Sequence, residues 1–191
     1  MSIINKTKYL EFKSAKSPSG NDWYYVKRTN DTKNHDSAVV ITTLIKQKDS
    51  YKFLLLKTSR PPITAENKAE FCLESPAGLI GDENSKENLF ECVKKELLEE
   101  TGMVADEIHI ELTNCSTSAG LSSETLTFVT AIVKNDIIQS TPSTDGGVIV
   151  ERFKINADRI FEYLKTIEQS EISIASATIC GIFYALNRLA K

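Results

Sequence analysis

The segment GDENSKENLFECVKKELLEETGM, Gly81 to Met103, decides the fold. It opens as a polar loop and continues as a helix: Asn84 followed three residues later by Glu87 fits a capping box, and Gly102 supplies the stop. Leu89, Phe90, Val93 and Leu97 make an apolar face. At about 100° per residue, Leu89, Val93, Glu96 and Glu100 fall on nearly one line, so carboxylates continue the stripe that apolar groups begin. A solvated acidic face would lie opposite Leu89 and Val93 instead.

That placement breaks three local rules at once. Glu96 and Glu100 are a like-charge pair four residues apart, which costs roughly a few tenths of a kcal/mol. Glu99 and Glu100 sit at the negative end of the helix dipole. Unpaired carboxylates beside an apolar stripe are penalised further. A divalent cation removes all three objections, and clustered carboxylates with room for water suit magnesium, with manganese as a substitute.

The segment resembles the Nudix box: Gly, five residues, Glu, seven residues, Arg-Glu, an aliphatic, any residue, Glu-Glu, any residue, Gly and an aliphatic. Those positions are Gly81, Glu87, Lys95, Glu96, Leu97, Glu99, Glu100, Gly102 and Met103. Lys95 is the one chemical departure; it keeps the charge that can hold Glu87 or a box glutamate and loses the bidentate fork. The resemblance implies an α/β Nudix fold, a mixed β-sheet sandwiched between helices, with a small N-terminal β extension over residues 1–36 and the hydrolase domain over 37–191.

Composition sets the outer bounds. A chain of 191 residues, 41% hydrophobic, holds one ordinary domain and a short extension. A net charge of −3 gives no basic field for a nucleic-acid backbone, so the expected partner is a small molecule. The N-terminus lacks an apolar signal core and no apolar run approaches the roughly 18 residues of a membrane span, so the expectation is a soluble, cytoplasmic protein with no membrane partner. Cys72, Cys92, Cys115 and Cys180 are scattered, which points to reduced, partly buried thiols.

Around the box, Lys8–Phe12 and Trp23–Arg28 read as strands of an N-terminal hairpin separated by Ser17-Pro18-Ser19-Gly20. Trp23 can stack a base, or it can pack an aromatic strand on the core or on a second subunit. Ser37–Ile45 and Tyr51–Lys57 read as a buried hairpin, ended by Arg60-Pro61-Pro62. Arg60 suits either an anion clamp or a surface position. Phe71–Ile80 reads as a short strand running into Pro76-Ala77-Gly78, where backbone carbonyls can face a metal; Glu74 on the strand is a site group or a surface ion pair. Ile108–Leu112 and Leu126–Val133 are further strands, with a small polar loop, Ser116–Glu124, expected over the site. His109 and His35 lack metal-ligand partners at suitable spacing. After a long polar loop over 134–147, Val148–Ile155 reads as a strand, and Ala157–Ile167 and Ile172–Leu189 as helices.

These pieces look like the ADP-ribose and ADP-sugar pyrophosphatase branch of the family. The resemblance implies that Trp23 stacks adenine; that Arg28, Arg60 and Glu74 hold the ADP-sugar; and that the Ala77 carbonyl joins Glu96 and Glu100 around the metal. It also implies a homodimer that exchanges N-terminal segments. Three departures stand out: Ala119 where a proline is usual, a separation of Gly78 from Gly81 that lengthens the loop, and Val148 where relatives place a glutamate base. Glu99, Glu124 and Glu151 are the candidates for that base. The expected reaction is metal-assisted attack of water on a phosphorus of a nucleoside diphosphate linked to another moiety; with ADP-ribose it gives AMP and ribose 5-phosphate. The alternatives are another nucleotide sugar, a dinucleotide, or a Nudix-fold module that binds a nucleotide without turnover.

Overall fold

The computed structural model of the chain describes residues 1–29, 37–66, 68–81 and 88–191. Asn84, Glu87 and His35 lie outside them. The first three strands, β1 (Ser2–Lys6), β2 (Leu10–Lys16) and β3 (Asp22–Arg28), form a separate antiparallel sheet. β2 and β3 are the expected hairpin, closed by Ser17 N–H donating to the Asn21 carbonyl at 2.8 Å. β1 adds a strand that the sequence reading did not include.

β4 (Ser37–Lys46) and β5 (Tyr51–Thr58) form the second expected hairpin, with Lys46 opposite Tyr51. β5 ends in a short helix, α1 (Pro61–Ala65), where two prolines occupy first-turn positions whose N–H groups have no intrahelical use. The short strand expected before Pro76-Ala77-Gly78 is β6 (Phe71–Glu74), and Ala77–Leu79 forms a further strand, β7, that the sequence reading did not include. The chain changes neighbours at Ser75-Pro76: β6 pairs with β5, and β7 crosses to β4.

Helix α2 (Leu89–Thr101) starts later than expected. The sequence carries two consecutive Asn-x-x-Glu patterns, and the helix uses the second: Asn88 Oδ1 accepts from Glu91 N–H, and Glu91 Oε2 accepts from Asn88 N–H. The reason is apolar anchoring, because nothing before Leu89 in that run can bury a face. Gly102 ends the helix at φ +72, as expected. Val93 and Leu97 are fully buried. Phe90, at the flank of the stripe in the first turn, is instead 46% exposed, and Cys92 fills the core in its place.

β8 (Glu107–Ser116) and β9 (Thr125–Val133) pair antiparallel, and β9 runs parallel to β4. β10 (Ile149–Asn156) lies along β5 and leads through a 3-10 turn, Ala157–Arg159, into α3 (Ile160–Glu168). The helix expected from Ile172 begins only at α4 (Ser176–Leu189). Ile172–Ile174 is strand β11, held extended by parallel pairing with β6, so sheet pairing overrides the helical period there.

The large sheet runs β11-β6-β5-β4-β9-β8, with β10 beside β5 and β7 beside β4. Alternation along β4 sends Val39, Ile41 and Ile45 to the α2 face and Leu44 to the α3/α4 face; along β5, Leu54 faces α2 while Phe53 and Leu55 face α3 and α4. Both faces are therefore covered, which is the expected α/β/α sandwich. The four cysteines are free, with Cys72 and Cys92 buried. Among the described residues, no helix is long and apolar enough to cross a membrane.

Candidate active site

The acidic end of α2 meets β7 edge on, and one small residue permits the approach. A Cβ built on Gly78 would lie 2.2 Å from Glu96 Cδ, so any larger residue there would displace the carboxylate. Gly81, at φ +80, then turns the chain out of β7, which gives the two separated glycines separate tasks. Lys95 Nζ lies 3.4 Å from Glu96 Oε1, so the box cation sits beside a box glutamate. Glu100 Oε2 accepts the Ala77 N–H at 3.1 Å. Burial pushes the Glu100 carboxyl up to about 8; the Ala77 N–H opposes this, and the charges of Glu96 and Asp145 add to it.

A cleft of about 570 Å³ opens over this end of the helix, lined by Glu96, Glu99, Glu100, Asp145, Ala77 and Gly78, with Arg28 and Arg60 on its rim. Each arginine has a carboxylate behind it. Arg60 Nε donates to Glu74 Oε2 at 2.8 Å, and Glu74 also takes the Thr58 hydroxyl at 2.7 Å. Arg28 Nε donates to Glu124 Oε1 at 2.6 Å. Glu74 and Glu124 thus orient the rim arginines and do not themselves line the cleft. The cleft thus carries both guanidinium groups and the anionic end of α2, a combination suited to a phosphate bound through a cation and through guanidinium groups together.

Of the residues singled out in the sequence, the structure gathers Arg28, Arg60, Ala77, Glu96, Glu99 and Glu100 around one cleft. Trp23 is 52% exposed and outside the lining; its indole N–H donates to the Gly120 carbonyl at 2.9 Å. The loop over 116–124, expected above the site, instead docks on β3: Val26 N–H donates to Leu121 O, and Ser123 N–H to Val26 O. Glu151 is turned away from the acids. It shares a strand face with Phe153 and Ile155, which pack on the α3 side, and its charge helps hold the Tyr163 hydroxyl above its usual value, after burial.

Asp145 is the residue that sequence reading missed. It occupies a left-handed conformation, φ +47, in the Thr144-Asp145-Gly146-Gly147 run, and this turn places it in the cleft beside Glu99 and Glu100. The Gly pair next to an acidic residue was the available signal. Arg152 was missed as well. Its Nε donates to the Glu100 carbonyl at 2.6 Å and another of its nitrogens to the Ser143 carbonyl.

Among the described residues, no three His, Cys, Asp or Glu side chains are drawn together as a finished metal cage. The donor set still fits magnesium, which keeps several of its waters and needs only one or two carboxylates. Glu100, forced towards its protonated form by burial and by acids on two sides, is a group that a cation would relieve. A second cleft, about 430 Å³, lies among Lys52, Lys154, Arg159 and Tyr163, and lacks such an acidic cluster.

No family model matches the chain. It is 30% identical over 159 residues to an uncharacterized Nudix hydrolase of Schizosaccharomyces pombe, an alignment covering 80% of this chain and 71% of that protein. Among solved structures, an ADP compounds hydrolase matches with a TM-score of 0.65 at 16% identity, over 99% of this chain and 91% of that one. The NUDIX domain of Shewanella oneidensis NrtR, complexed with ADP ribose, matches at 0.53 and 22% identity, over 80% of this chain and 87% of that one. A C. elegans Ap4A hydrolase in a binary complex matches at 0.51 and 15%, over 81% and 97%. At these identities the structural likenesses speak to the fold.

Proposed function

The chain belongs to the Nudix hydrolase family, and from that premise we propose that it hydrolyses the diphosphate of a nucleoside diphosphate linked to another moiety, with ADP-ribose or an ADP-sugar as substrate. The observation that carries this reading is one cleft lined by both signs of charge, Glu96, Glu99, Glu100 and Asp145 together with Arg28 and Arg60. Two solved neighbours are an ADP compounds hydrolase and a domain complexed with ADP ribose, which supports an ADP-containing ligand here.

Glu96 and Glu100 would hold the divalent ion, joined by the Ala77 main chain and by Glu99. When bound, that ion supplies Lewis-acid charge neutralisation and a lowered pKa for coordinated water. Arg28 and Arg60, fixed through their Nε atoms by Glu124 and Glu74, bind and orient the diphosphate. Lys95 steadies Glu96. Glu87 keeps the supporting role given to it by the box pattern.

Residues 1–36 serve as a dimerising extension in this reading. The stack of Phe12 on Tyr24, with ring centroids 5.9 Å apart and both side chains exposed alongside Leu10, supports a self-complementary apolar face. Trp23 in the same sheet is the adenine platform. The four free cysteines support a reducing, cytoplasmic setting. A magnesium-dependent panel of nucleoside diphosphate derivatives with product identification tests the proposal. AMP with ribose 5-phosphate from ADP-ribose supports it. Preferential cleavage of a dinucleotide would move the substrate class, and tight binding of ADP-ribose with no products under magnesium or manganese would favour a binding module.

A further inference from the structure

The last turn of any α-helix leaves carbonyls without intrahelical donors. In α2 two of these, on Glu99 and Glu100, belong to residues of the acidic cluster and have donors from elsewhere in the chain. The cap bond from Gly102 N–H to the Leu98 carbonyl, 2.8 Å, is the last of the helical series; beyond it the Glu99 carbonyl takes Ser143 N–H at 2.7 Å, and the Glu100 carbonyl takes Arg152 Nε at 2.6 Å. Arg152 closes the circuit by donating a second time, to the Ser143 carbonyl. Ser143 therefore gives its N–H to one acidic residue of α2, while its carbonyl is tied through Arg152 to the next.

We infer that Arg152 is a positioning residue, a two-pronged clamp that locks the metal-facing turn of α2 to the 143–145 segment so that Glu99, Glu100 and Asp145 face the cleft as one unit. The inference rests on the metal-dependent reading above. Three observations carry it. The clamp joins residues 52 positions apart in sequence, so local propensity cannot replace it. It needs a planar fork: one guanidinium spans two carbonyls, whereas an ammonium is a point charge. It also sets a fixed positive charge at the negative end of the helix, within reach of the Glu100 carboxylate. The box cation, Lys95, provides a point charge on Glu96; the fork at this helix comes from β10.

The test uses the full chain with Arg152→Gln and Arg152→Lys, metal-free and titrated with Mn²⁺ by electron paramagnetic resonance, alongside hydrogen exchange and melting. Supporting residues behind metal ligands typically contribute about tenfold or more to affinity. Arg152→Gln, folded by its melting transition, should bind Mn²⁺ about tenfold more weakly and exchange the Ser143 amide faster, with Arg152→Lys recovering part of each. Its kcat should fall while KM holds. Wild-type Mn²⁺ affinity in a folded Arg152→Gln overturns the inference, as does a loss confined to melting temperature. If the glutamine variant does not fold, the lysine variant decides, and unaltered Mn²⁺ affinity and Ser143 exchange in it are the negative result. A wild-type protein that binds no Mn²⁺ sinks the functional reading alone; unchanged Ser143 protection in the variants would then overturn the clamp separately.

Discussion

Replacing Glu100 with glutamine should stabilise the metal-free protein while abolishing turnover. The Glu100 carboxyl is raised from an ordinary 4.5 to about 8, first by burial and then by Glu96 and Asp145, against the pull of the Ala77 N–H. A folded value above the unfolded one means that the fold holds a proton which the unfolded chain has already released. The resulting stability is full below about 4.5 and is lost as pH climbs towards 8, at about 1.4 kcal/mol for each pH unit. By pH 8 the loss is on the order of 4 kcal/mol. For a chain of this size that corresponds to roughly 10 °C in melting temperature. Glutamine keeps the shape, can still accept the Ala77 N–H and carries no charge. Melting of the metal-free wild type should therefore fall between pH 5 and pH 8, the Glu100→Gln curve should stay nearly flat, and the variant should melt higher at pH 8. Magnesium should flatten the wild-type curve and leave the variant unmoved. Parallel pH profiles, or a variant less stable than wild type at pH 8, would refute the reasoning.

Gly78→Ala places a methyl 2.2 Å from Glu96 Cδ, so kcat/KM should drop on the order of a hundredfold while the melting temperature stays near wild type; unimpaired kinetics would show that the cleft tolerates the displacement. Gly102→Ala must hold an L residue at φ +72 and meets the Ser140 carbonyl at 2.4 Å, so urea unfolding should report a loss of about 1–2 kcal/mol or more, and an unchanged midpoint would contradict the cap. Trp23→Ala should raise KM for an adenine-containing substrate more than it lowers kcat. If KM stays put, the indole serves only its bond to Gly120.

How much of this was legible in the sequence depended on distance along the chain. The stripe Leu89-Val93-Glu96-Glu100 and the Gly102 stop are local patterns, and both appear as read. The start of α2 was misplaced because the two Asn-x-x-Glu patterns satisfy the same capping rule, and only burial of Leu89 and Val93 chooses between them. Ile172–Ile174 belongs to a sheet because β6 lies alongside it, a fact carried by residues 71–73. Glu151 was ambiguous for a related reason: the register shift between Ile149 and Glu151 decides which side chains of β10 face α2, and one residue of slip exchanges the faces. Asp145 and Arg152 enter the site through a left-handed turn and a hydrogen bond between residues far apart in sequence, neither of which leaves a periodic trace.

The central claim is that the acidic end of α2 and the two rim arginines together position a diphosphate for attack by water at phosphorus. The measurement that tests it most directly is incubation with ADP-ribose in oxygen-18 water, with magnesium or with chelator, and mass analysis of the products. The account predicts AMP and ribose 5-phosphate, one heavy oxygen in a single product phosphate, and no products under chelator. Intact ADP-ribose in the presence of magnesium and manganese, or cleavage products whose phosphates carry no label, would contradict it.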